Sequence, residues 1–418
     1  MIKKIVIFLV VFYNLALCDY LLINMDLKQK DHLRAYGVVY WSLQQGFKVR
    51  WLLNYRGGSF LCPDNESIAN RCYELGVSFE KISGSDYSKI LATIEQNNMD
   101  VMELEKAPRI AVYTPPNSQP WDDAVTLVLD YIKIKYDKIF DEEVLNGVLE
   151  NYDWLHLHHE DFTGQYGKFW ATYGREPWYI NQQLESEKLA HSLGFKKVSK
   201  LKLAVVEEIR RFVLNGGFLF AMCSATETFD VALAARNTDI CDTPFDHDPI
   251  DPNYKAKLKF DQCFAFYNFS IYTNPYVYKH SSIDTTPDRG IGLKGPEADA
   301  FKLFDFSAKF DPIPTMLTQD HTSIIKGFMG QTTAFYEEFI KPYVVILGKQ
   351  EGTNIVKYIY GNIGKGFFAF LGGHDPEDYR HFVGDPPTDL SLYKNSPGYR
   401  LILNNILFPA AKKKKLKT

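Results

Sequence analysis

The sequence predicts an α/β protein: a parallel sheet with helices on both faces, an amino-terminal α/β extension and a β-rich insertion. Three observations carry this. From Asp19 onward short apolar runs alternate with segments of helical periodicity, and parallel strands need crossover connections that place helices on both faces. Residues 218–222 and 366–371 are apolar almost throughout, as strands buried on both sides are. Several runs also end in polar, glycine-bearing loops, where ligands of open α/β sheets bind. At 418 residues the chain has room for about two to three domains. Its 46% hydrophobic and 23% charged composition is that of an ordinary globular protein. A net charge of −4 argues against a nucleic-acid binder, and six cysteines exclude a disulfide-dense scaffold.

Residues 1–18 read as a signal peptide. Lys3 and Lys4 precede an apolar run from Ile5, and Ala16 and Cys18 stand at −3 and −1 of a cut after Cys18. Two alternatives stay open: a first buried strand, or lipidation of Cys18. The expectation is a periplasmic or secreted chain. Five cysteines would remain (Cys62, Cys72, Cys223, Cys241, Cys263), an odd number that leaves at least one unpaired or bridged to another chain. The leader is too short to span a bilayer, and no other segment reads as a membrane span. At the other end, residues 411–418 form a lysine-rich, solvated tail.

Residues 19–105 read as an amino-terminal α/β unit of βαβ type. Strands fall at 20–23, 47–53 and 77–82, and helices run through Leu33, Tyr36, Tyr40 and Leu43 and over 85–96. Arg56, Gly57 and Gly58 form either a turn or an anion grip. A second unit covers 106–235 and 340–410. It has strands at 109–113, 136–140, 152–157, 218–222, 343–347 and 366–371. Its helices are 121–132, with Asp122 and Asp123 in the first turn, one with Val205, Ile209, Phe212 and Val213 on one face, and 399–407. Residues 236–339, rich in Asp, Pro, Phe and Tyr, read as the β-rich insertion. Chemistry is expected in three loops, after Leu157, Met222 and Leu371.

The strongest of these is Ala221-Met222-Cys223-Ser224-Ala225-Thr226-Glu227. A strand ends at Cys223 and a helix begins at once, with Ser224 and Glu227 spelling a capping box. Backbone N–H groups at that helix start would lower the thiol pKa and, through the Ser224 N–H, hold an oxyanion. The competing reading is a buried structural cysteine. The second constellation, Gly372-Gly373-His374-Asp375-Pro376-Glu377, supplies His374 as a base for Cys223, with Asp375 or Glu377 as orienter. The third is His156-Leu157-His158-His159-Glu160-Asp161. Strand alternation puts His156 and His158 on one face and His159 on the other; with Glu160 at the strand end they line a ligand pocket or, as the lesser alternative, bind a divalent metal. Gln165 and Tyr166 continue that pocket wall. Asp242, Asp246, His247, Asp248 and Asp251 make an acidic loop that is solvated or, at the outside, a cation site.

The Cys223 elbow with the later His374 is similar to the class I glutamine amidotransferase-like superfamily, and the glycine-rich run into His374 resembles its ThuA-like branch. That resemblance implies a flavodoxin-like three-layer sheet and Cys–His amide hydrolysis. The family's G-x-C-x-G reads A-M-C-S-A here, and its H-x-E reads H-D-P-E. Over nearly its whole length the chain also resembles a family of bacterial exported proteins labelled asparagine synthetase B. The matching stretches include 152–168, 221–228, 327–334 and 372–387. A glutamine-dependent asparagine synthetase would carry an amino-terminal Cys and an S-G-G-x-D-S loop, whereas residue 2 is Ile and that loop does not occur. The expectation is a Cys-dependent amide or ester hydrolase that needs no cofactor and acts on a small-molecule or glycan ligand. The alternatives are a non-catalytic carbohydrate-binding protein on the same scaffold and a metal-dependent hydrolase.

Overall fold

A computed structural model describes residues 19–116, 123–286, 295–380 and 385–412. The leader 1–18 with Cys18, Asp122 and the lysines of the tail beyond Lys412 lie outside the described residues. The architecture is mixed α/β, with two sheets.

The smaller sheet comprises β1 (Tyr20–Ile23), β2 (Val49–Leu53), β3 (Ser59–Pro63), β4 (Glu80–Ile82) and β5 (Asp100–Leu104), in the order β4-β1-β3-β2-β5. Every pairing in it is antiparallel, which corrects the βαβ expectation. The reason is local. Asn54, Arg56, Gly57 and Gly58 all have positive φ, so the chain reverses tightly and β2 pairs directly with β3. The Arg56 guanidinium pairs with the carboxylates of Asp26 (2.7 Å) and Glu80 (3.1 Å).

The larger sheet holds β6 (Ile110–Tyr113), β7 (Asp137–Ile139), β8 (Trp154–Leu157), β9 (Phe218–Met222), β10 (Phe301–Leu303), β11 (Ile324–Ile325), β12 (Phe335–Tyr336), β13 (Val345–Lys349), β14 (Ile355–Ile363) and β15 (Gly366–Leu371). Its order is β11-β10-β13-β14-β15-β9-β8-β6-β7, with β12 on β14. From β7 to β15 the pairings are parallel; beyond β15 they are antiparallel. Side chains alternate between two cores. Trp154, Phe218, Phe220 and Met222 face one, under the helices Ala124–Tyr131 and Pro397–Leu407. Leu155, Leu157, Leu219 and Ala221 face the other, under Val198–Leu214 and Ala225–Ala234. Among the described residues, 236–339 is not β-rich: the three strands there have two or three residues each. Prolines lack the N–H a ladder needs, and Asp side chains cap local turns instead.

One consequence positions everything below. β8, β9 and β15 are adjacent and parallel, with Leu157 opposite Ala221 and Leu371 opposite Met222. The three loops singled out in the sequence therefore leave the sheet side by side.

Candidate functional site

Cys223 follows β9 at φ +52, a left-handed conformation that costs a residue with a Cβ about 1 kcal/mol or more. Two backbone bonds hold it there: its N–H donates to Gly373 O (3.2 Å), and the Gly373 N–H donates to Thr332 O (2.7 Å). The loop after β15 and the segment 327–333 are thus stitched to the elbow. Gly330 lies over the thiol. A methyl placed on it would sit 2.8 Å from His374 Cδ2 and 3.1 Å from Cys223 Sγ, so imidazole and sulfur share the space over one glycine. The Gln331 N–H donates to Sγ (3.2 Å), and the backbone N–H groups of Thr332 and Ser224 also face the sulfur.

The expected lowering of the thiol pKa is not found. Cys223 is 1% exposed, and burial pushes the thiol up, with the Gln331, Thr332 and Ser224 N–H groups offsetting only part of it. At rest the group is a thiol. Nor does the capping box form. Ser224 has helical dihedrals and makes no cap; its hydroxyl donates to His159 O (2.8 Å), tying the loops after β8 and β9 together. Glu227 turns inward and accepts from Ser281 Oγ (2.7 Å) and Thr332 Oγ1 (3.3 Å).

The ring packed on His374 is His158, edge-on with centroids 4.7 Å apart; His159 lies at 6.3 Å. His158 Nδ1 is 2.7 Å from His159 Nδ1 and 3.9 Å from Asp123 Oδ2. Burial drives both His158 and His159 far below the ordinary imidazole range, so both are neutral. The orienters chosen from sequence are engaged elsewhere. Glu377 bonds Ser396 beside Lys326, and Asp375 Oδ1 accepts the Asp378 N–H (3.0 Å) to cap the next turn. His156 follows the predicted alternation, stacked between Trp154 and Phe220 with Nδ1 3.2 Å from Phe220 O and Nε2 3.4 Å from Asp123. Gln165 is fully buried and donates to Ile240 O (2.9 Å). Tyr166 packs on Tyr179 in the same buried loop. Gly373 (φ +76) has no room for a Cβ, which would meet Phe328 at 2.6 Å.

Among the described residues, His156, His158, His159 and Glu160 do not bring three donor atoms together at single-ion distances; Asp239, Cys241 and Asp246 do. There the Lys197 ammonium supplies the positive charge, 2.6 Å from Asp239, 3.0 Å from Asp246 and 2.5 Å from Asp248. The acidic loop is partly solvated, as expected, with His247 and Asp248 exposed; Asp242 caps a short helix, and His247 pairs with Glu187. The cysteines at 62, 72, 223, 241 and 263 are all free.

Sequence reasoning missed the buried network behind the sulfur. His280, fully buried, lies 3.3 Å from Asp161 and 3.6 Å from Glu227. Burial opposes its charge, but the two carboxylates dominate and raise its pKa from 6.5 to about 9. A raised imidazole pKa stabilises the fold fully below the unfolded value and loses that contribution as pH climbs through the folded one. The melting temperature is therefore expected to fall between pH 6.5 and 9, and His280→Gln to flatten that slope; equal slopes in the two proteins would refute the assignment.

No protein-family model and no curated protein matches this chain. Among solved structures it is similar to two cytoplasmic proteins of Salmonella typhimurium. One is 10% identical, with 73% of this chain and 100% of that one covered and a TM-score of 0.34. The other is 11% identical, with 72% and 99% covered, also at 0.34. A GH42 beta-galactosidase is 11% identical, with 70% and 31% covered, at 0.30. Both Salmonella structures are titled cytoplasmic proteins, whereas the sequence reading expects a periplasmic or secreted chain.

Proposed function

We propose that this chain is a Cys-dependent hydrolase of amides or esters, built on a flavodoxin-like sheet of the class I amidotransferase-like type. The observation that carries the reading is the meeting of Cys223 and His374 over Gly330 at the ends of adjacent parallel strands, with backbone N–H groups around the sulfur. His374 takes the thiol proton and the sulfur attacks the substrate carbonyl. The Ser224 N–H stabilises the oxyanion, and the imidazolium returns its proton to the leaving amine or alcohol. Water then hydrolyses the thioester. His158 holds the His374 ring by edge-on packing, in place of the hydrogen-bonding orienter expected at Asp375 or Glu377. The segment 327–333 covers the thiol, so turnover requires it to lift.

Incubation with p-nitrophenyl acetate followed by mass spectrometry tests this. The expected product is a single acetyl group on Cys223, absent from Cys223→Ala and formed more slowly in His374→Gln. Acetylation spread over lysines alone would discard the hydrolase. The burial of Cys223 favours a second reading, a non-catalytic ligand-binding protein that keeps the elbow as scaffold. In that case Cys223→Ala keeps its fold and ligand, and the native protein shows no turnover.

A further inference from the structure

We infer that the cavity at the carboxyl ends of β6, β7 and β8 binds a small organic ammonium compound, its charge on the carboxylates and its carbon skeleton on an apolar floor. The cavity, about 690 Å³, borders His158 and His159 but not Cys223. This inference therefore does not depend on the hydrolase reading. Four carboxylates line it (Asp123, Glu142, Glu143, Glu160) against one ammonium, Lys138, and Pro116, Ile139 and Leu189 supply apolar wall. The volume far exceeds that of a single ion, and the carboxylates do not converge as metal ligands do. A compound with both a cationic head and an aliphatic part fits that mixture.

A second observation points to a ligand. His158 is 2% exposed and stands on the cavity wall, yet its Nε2 has no hydrogen-bond partner. A polar nitrogen buried in that way is costly unless something bonds it. When its Nδ1 donates to His159, Nε2 offers a lone pair to an ammonium N–H. Among the described residues the Glu160 carboxylate makes no hydrogen bond. Burial raises its pKa to about 7, with Lys202 opposing and Asp141, Asp123 and Asp161 adding to the rise; Tyr113 also faces it. Its full charge is thus available above neutrality.

Titration calorimetry of the full chain with 1,5-diaminopentane, pentan-1-ol and magnesium chloride tests the site. The diamine is expected to bind at one site, several-fold more tightly at pH 8 than at pH 6, and pentan-1-ol not to bind. Glu160→Gln should weaken the diamine about tenfold, the effect of one charge in a partly enclosed site. Lys138→Ala, a change at an exposed side chain, should tighten it. No saturable heat with the diamine, the same affinity in both variants, or saturable binding of magnesium in its place would each overturn the inference.

Discussion

Gly330→Ala is expected to cut turnover of the proposed hydrolase about a hundredfold while leaving the fold intact. Gly330 sits at φ +146, where residues with a Cβ are strained, and the added methyl would press on His374 Cδ2 at 2.8 Å and on Cys223 Sγ at 3.1 Å. Either the imidazole or the covering segment must shift, and misplacing a catalytic group by about 1 Å costs on the order of a hundredfold. The same substitution is expected to expose the thiol. Alkylation of Cys223 by iodoacetamide, slow in the native protein because burial holds the thiol protonated, should accelerate in the variant. An alkylation rate that stays unchanged while turnover is retained would show that Gly330 is not the cover described above.

Arg400→Met is expected to destabilise the protein by about 3–5 kcal/mol, the cost of leaving a buried charge without its partner. Arg400 is fully buried in the helix Pro397–Leu407. Its guanidinium donates to Gly57 O (2.8 Å) and Met25 O (3.3 Å), lies 3.0 Å from His321 Nδ1, and pairs at 3.5 Å with Asp320, itself without exposed side-chain surface. Methionine would leave that carboxylate without its guanidinium, with His321 beside it (backbone N–H at 2.7 Å), and two carbonyls short of a donor. Urea denaturation measures the loss. Arg400→Met combined with Asp320→Leu should recover much of it, because the pair then vanishes together. A single variant within about 1 kcal/mol of the native protein would be incompatible with this account, since such surface-like effects are typical where no buried charge is involved.

The strand ends that carry the candidate site were readable in the sequence because each rests on a local signal. Residues 218–222 and 366–371 are uninterrupted apolar runs, and the glycines of 216–217 and 372–373 mark where they begin and stop. Both match strands in the structure. Cys223 and His374 are therefore legible as strand-end residues from pattern alone, whereas the adjacency of their strands is not. The cover was not readable. Gly330, Gln331 and Thr332 reach the sulfur from more than a hundred residues away, out of an irregular segment without periodicity. Ser224 and Glu227 misled for a different reason: their spacing suits a helix start, but buried partners, His159 O and Ser281, compete for the same polar atoms. The small sheet turned antiparallel through backbone angles at Asn54 and Arg56, residues for which composition gives little warning.

The Arg400 contacts also have a temporal meaning. The guanidinium joins Met25, Gly57 and Asp320, and Leu104 at the edge strand of the smaller sheet bridges to Ala411. During synthesis the first hundred residues emerge long before these last partners. The amino-terminal sheet must then wait, incompletely docked, until residues 320 to 411 have left the ribosome, an interval in which chaperones would find it.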